Sequence, residues 1–172
     1  MMENTHGYRS DYRSERIPPA DGDSERAIRQ LNSLLRGEIS ATETYRLAID
    51  RVGEGDESTM ANVGLLREIQ EEHGRAAIAL RDRIKELGGE ASDSSGPWGA
   101  WAQFTQSTAN LFGDGAAIRS LKEGEKHGLK EYQEAVDDVD GTSADLIRNQ
   151  LIPARQRHIN LLDPLIHSAN AD

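Results

Sequence analysis

The chain has 172 residues, no cysteine, 5% aromatic residues and a formal net charge of −10. That length suits one domain with a full hydrophobic core, and the acidity argues against free nucleic acid or an anionic membrane as a partner. Without cysteine there are no disulfides, thiolate metal sites or thiol catalysis, so any metal must be held by Glu, Asp or His; with no signal peptide and no long apolar run, a cytoplasmic protein is expected.

Residues 1–22 carry mixed charge, a Pro pair and no periodicity, and read as a disordered tail ahead of a domain spanning 23–169. Ala, Leu, Glu and Arg are plentiful beyond it, which points to an all-α fold. The first helix is expected from Asp23 or Ser24, with an inward stripe of Ile28, Leu31, Leu35, Glu38, Tyr45 and Ile49, ending at Gly53 and Gly55. A carboxylate on that stripe costs several kcal/mol unless something pairs it, so Glu38 demands a partner. The second helix starts around residues 56–58 and carries Leu66, Gln70, His73, Leu80 and Ile84 inward until Gly88-Gly89 stops it.

A polar linker, residues 89–97, leads into PWGAWAQFTQSTANLF, which places Trp98, Trp101, Phe104 and Phe112 on one face of a short amphipathic helix. That helix either covers the bundle or anchors a homodimer, because clustered aromatic residues are common interface anchors. The third helix is expected over 114–139 with Leu121, Glu125, Gly128 and Tyr132 inward. Asp140-Gly141 reads as a turn, with Thr142 or Ser143 capping the fourth helix. That helix carries Leu151, His158, Leu162 and Leu165 inward, and Pro153, which lacks an N–H, should kink it.

Helices one and three are copies. LLRGEISATETYRLAIDRV (34–52) aligns with LKEGEKHGLKEYQEAVDDV (121–139), with seven of 19 positions identical and one Ile/Val exchange. His73 and His158 each lie seven residues after one Leu and seven before another. The chain therefore reads as two helical hairpins from an internal duplication, each with a Glu on its first helix and a His on its second. Short loops within the hairpins and a long crossover between them describe a four-helix bundle. Glu38, His73, Glu125 and His158 should then meet in one layer, and two carboxylates with two imidazoles can hold a divalent metal such as iron, manganese or zinc.

On these residues the chain resembles the ferritin-like superfamily over roughly residues 24–168. LNSLLRGEISATETYRLAI is similar to the first helix of bacterioferritin, and EEHGRAAIALRDRIKELGG, the Trp-containing crossover, EYQEAV and the late His resemble the YciE/YciF-type bundle proteins. The resemblance implies a ferritin-like four-helix bundle with a helix in the crossover between helices two and three, a stress-associated role and homo-oligomers. It also implies a metal centre with Glu on helices one and three and Glu-x-x-His on helices two and four. Here Glu38, His73, Glu125 and His158 match that pattern, but Gln70 and Arg155 stand three residues before the histidines where the pattern has Glu. Gln70 can ligate weakly through its carbonyl oxygen. Arg155 cannot ligate, repels a second metal, and offers another partner for the glutamates by forking onto Glu38 or Glu125. The centre is therefore expected to be degenerate, without robust catalysis; the alternative is a mono- or di-iron protein that oxidises ferrous iron with oxygen or peroxide. With helices one and three antiparallel, as the family has them, Tyr45 should bond Glu125 and Tyr132 should bond Glu38. The nearby Glu68, Glu71, Glu72 and Glu123 are expected in solvent.

Overall fold

A computed structural model describes residues 22–52, 57–96, 99 and 114–168. The tail expected before residue 22 and the aromatic residues Trp98, Trp101, Phe104 and Phe112 lie outside the described residues. The fold is all-α, a four-helix bundle. Helix α1 spans Gly22–Val52, α2 Glu57–Glu86 and α3 Asp114–Ala135, with a 3-10 turn at Val136–Asp138. The fourth helix comes in three pieces: α4 (Gly141–Leu146), a π-helical turn (Ile147–Leu151) and α5 (Ile152–Ser168).

The ends follow local chemistry. Gly88, at φ 76°, stops α2; its N–H donates to Lys85 O (2.9 Å) and that of Gly89 to Ile84 O (2.9 Å), which satisfies two end carbonyls. Helix α4 is capped by Asp140, not by Thr142 or Ser143. Its carboxylate accepts from the N–H groups of Thr142 and Ser143, so the residue read as a turn is the cap and helix begins at Gly141. At Pro153 the expected kink takes a specific form. Proline has no N–H and crowds the preceding turn, and the chain widens just before it, so that Ile152 N–H donates to Ile147 O, five residues back. Helix α5 continues through Pro164.

Among the described residues the apolar stripes pack into two clusters. Leu31, Leu35, Leu80, Ile84, Tyr132 and Ile147 belong to one, and Ile49, Leu66, Ile69, Ile118, Leu121 and Leu162 to the other. Each fully buried Leu or Ile contributes about 1.5–3 kcal/mol relative to exposure. Along α1 the first cluster precedes Glu38 and the second follows it. Along α3 the order is reversed about Glu125, so α1 and α3 are antiparallel. The polar residues expected in one layer occupy the level between the clusters.

The start of the crossover runs back along α1. Asn32 anchors it twice, donating to Glu90 O (2.9 Å) and accepting from Ser92 N–H (2.8 Å), and Arg36 donates to Ser92 Oγ (3.0 Å). None of the described helices is long and apolar enough to cross a membrane.

A candidate metal centre built around an arginine

Glu38, His73, Glu125 and His158 come from α1, α2, α3 and α5 and are each at most 2% exposed. The structure brings all four together, with Arg155, Tyr45 and Tyr132. His73 bridges the two carboxylates, its Nδ1 2.7 Å from Glu38 Oε2 and its Nε2 2.9 Å from Glu125 Oε1. Arg155 bridges them a second time: Nη2 donates to Glu38 Oε1 at 2.7 Å and Nη1 to Glu125 Oε2 at 2.9 Å. Both expected cross-hairpin phenol bonds are present, Tyr45 Oη to Glu125 Oε1 at 2.7 Å and Tyr132 Oη to Glu38 Oε1 at 2.5 Å. They exist because α1 and α3 are antiparallel, which sets each Tyr beside the glutamate of the opposite hairpin.

The electrostatics close on themselves. Burial alone would raise the Glu38 pKa, but the charges of Arg155 and His73, with bonds from His73 and Tyr132, outweigh it and bring it down to about 2. Burial likewise opposes ionisation of Glu125, and His73 and Arg155 hold it well below the usual carboxylate range. Burial would lower His73, yet the carboxylates of Glu125 and Glu38 raise it to about 9. At neutral pH His73 is therefore an imidazolium that donates from both ring nitrogens. Two carboxylates then face one guanidinium and one imidazolium, and their charges sum to zero. Burial and the adjacent carboxylates push both tyrosines well above their usual pKa, so both phenols stay protonated donors.

Two residues join the site without having been singled out. Glu72, expected in solvent, has a side chain only 16% exposed; its Oε2 lies 2.8 Å from His158 Nε2 and pairs with Arg157. It sits one residue from His73, at the flank of α2 that faces α5, so the stripe pattern underestimates its burial. The other ring nitrogen of His158 lies 3.3 Å from Glu125 Oε2. Gly128 is the second. A Cβ there would lie 2.6 Å from Arg155 Cζ and 2.8 and 2.9 Å from its terminal nitrogens, so only glycine leaves room for the guanidinium. A signal existed: the repeat aligns Gly128 with Ala41, so the third helix lacks a methyl that the first helix carries at the matching position. Gly37, by contrast, allows no close helix approach, since a Cβ there would meet only Glu131 Oε2 at 3.9 Å.

Gln70 is half-buried, and its amide donates to Thr42 O at 3.3 Å. Glu68, Glu71 and Glu123 are exposed, as expected.

The donor set does not fit a di-iron centre. Two ferrous ions bring four positive charges, whereas Glu38 and Glu125 are already neutralised by Arg155 and His73, and Glu72 at the edge is held by His158 and Arg157. A single ion is a different matter. One donor atom from each of His73, Glu125 and His158 lies within 4.8 Å of the others, a spacing close to that of three ligands on one divalent ion. Such an ion competes with Arg155 for Glu125 and needs His73 as a neutral ligand.

The fold is that of a ferritin-like helical bundle. A crystal structure described as ferritin-like, diiron-carboxylate proteins from Bacillus anthracis str. Ames superposes with a TM-score of 0.68, covering 84% of this chain and 98% of that one at 18% identity. The chain belongs to the family described as a domain of unknown function, DUF2383, whose profile matches residues 26–138. That stretch contains Glu38, His73 and Glu125 and stops short of Arg155 and His158. A search of curated proteins finds no match.

Proposed function

We propose that this protein is a ferritin-like bundle in which Arg155 takes the part of the metal, so that the core is a structural ion network and the biological role is carried by the surface. The observation behind this reading is the guanidinium fork, with both terminal nitrogens of Arg155 within 2.9 Å of the two glutamates that would otherwise bind metal. A stress-associated role and a homodimer through Trp98, Trp101, Phe104 and Phe112 belong to the same reading, on the strength of the resemblance to YciE/YciF-type proteins and the aromatic pattern.

A second reading has one observation in its favour. The convergence of His73, Glu125 and His158 suits one divalent ion, with iron suggested by the diiron-carboxylate character of the structural neighbour. In its strong form this is a protein that oxidises ferrous iron with oxygen or peroxide.

Oxygen consumption after anaerobic addition of two ferrous ions per chain separates the two. The structural reading expects uptake no faster than the protein-free control. A burst of uptake that scales with protein concentration would establish the oxidase instead.

A further inference from the structure

Arg155 is 6% exposed, and its Nε is buried without a hydrogen-bond partner. A buried unsatisfied donor on a charged group is costly, so the fork onto Glu38 and Glu125 is an imperfect rest position. Beside it lies a cleft between α1 and α3 with about 40 Å³ of space, lined by Gly37, Gly124, Gly128, Tyr45, Glu131 and Arg155, among others. That is room on the scale of a few waters. Gly128 and Arg155 both line the cleft, and a Cβ on Gly128 would lie 2.6 Å from Arg155 Cζ, between the guanidinium and the cleft wall. Glu131 stands in the same cleft, with its carboxylate over Gly37 and His127 at 3.6 Å.

We propose that Arg155 and a single divalent cation are alternative occupants of this core: the cation binds His73, Glu125 and His158, and the displaced guanidinium crosses Gly128 to pair with Glu131 in the α1–α3 cleft. Like charges drive the exchange, because a dication on Glu125 sits a few ångströms from the present guanidinium position, where their repulsion is large in a low-dielectric interior. The exchange leaves Glu38 and Glu125 facing a positive charge, with the dication in place of the guanidinium. Glu131 gives the moved arginine a carboxylate, and the glycines on both walls give it a path. The protein is thus a divalent-cation responder whose occupancy is read out as the position of one arginine, next to the surface groove of α1 and α3.

The inference rests on Arg155 holding the cation position in the resting protein. Its test is cobalt(II) affinity of the metal-free full chain, measured by equilibrium dialysis with the visible absorption bands of the bound ion as a second readout. Arg155→Met should bind at least tenfold tighter than wild type, because the competitor is gone. Glu131→Gln should weaken wild-type binding severalfold and have no effect in the Arg155→Met background. Equal affinities for wild type and Arg155→Met would overturn the competition, and a Glu131→Gln effect of the same size in both backgrounds would overturn the landing site. If Arg155→Met does not fold, Glu38→Gln with Arg155→Met removes one charge of each sign outside the three proposed ligands and makes the same comparison. Wild type that binds two ferrous ions tightly would instead defeat the structural reading of the core, a result distinct from either.

Discussion

Removing Arg155 alone leaves two carboxylates facing a single imidazolium in the core. Breaking a buried pair from one side costs about 3–5 kcal/mol, so Arg155→Met should lower the unfolding free energy by that amount in a denaturant titration, with Glu38→Gln on top of it restoring part of the loss. Gly128→Ala should cost about 1–3 kcal/mol by overpacking, because the new methyl meets the guanidinium. Gly64→Ala on α2, where a Cβ meets nothing within 4 Å, should stabilise by up to about 1 kcal/mol. The titrations of His73 and of the two glutamates shape the pH profile, with Glu125 shifted in the same direction as Glu38. His73 is raised from 6.5 to about 9, so its contribution is complete below about pH 6.5 and is lost as pH rises through 9. Glu38 is lowered from 4.5 to about 2, so its contribution is complete above about pH 4.5 and is lost as pH falls towards 2. The metal-free protein should therefore be most stable between about pH 4.5 and 6.5, and His73→Gln should flatten the alkaline limb of a Tm-against-pH curve. At this scale the sequence carried most of the site. A Glu or His on an apolar stripe announces a buried network, and the repeat paired the hairpins. Glu72 escaped because a flank position becomes buried only when a neighbouring helix covers it, and Gly128 escaped because the space it leaves is defined by a side chain 27 residues away.

At the scale of elements, the 3.6-residue spacing of apolar residues was enough to place the long helices, since their Leu and Ile stripes are the ones that pack inward, although Gln70 on the α2 stripe is only half-buried. The ends were harder. Asp140 caps α4 and at the same time pairs with Arg83 of α2, at 2.7 Å. Asp140→Ala should therefore cost about 1–2 kcal/mol in thermal or denaturant unfolding, at the upper end of a cap replacement because an ion pair goes with it. The sequence read the same residue as a turn, since Asp-Gly serves both purposes and only the direction of its carboxylate tells them apart. The fourth helix shows a similar limit. Pro153 guarantees a disturbance, but whether the backbone bends or widens into a π turn depends on keeping Leu151, Arg155 and His158 on the core face. All three remain buried after the extra residue is absorbed.

At the scale of the whole molecule, two apolar clusters sandwich one polar layer among the described residues, and the character of the protein turns on what neutralises that layer. The ferritin-like arrangement was legible from connectivity and repeat, because two hairpins with inward Glu and His have few other ways to bury them. The content of the layer was only half legible. The sequence offered a metal or Arg155 as the partner of Glu38, and the geometry has Arg155 and His73 each bridging both glutamates. The most direct test is the iron retained per chain after anaerobic ferrous loading and desalting, in wild type beside Arg155→Glu. An arginine-filled core predicts that wild type keeps well under one iron per chain, while the variant, with a carboxylate returned in place of a cation, keeps about one to two. About two irons per chain in wild type would contradict an arginine-filled core and mean that the guanidinium gives way to a complete di-metal centre.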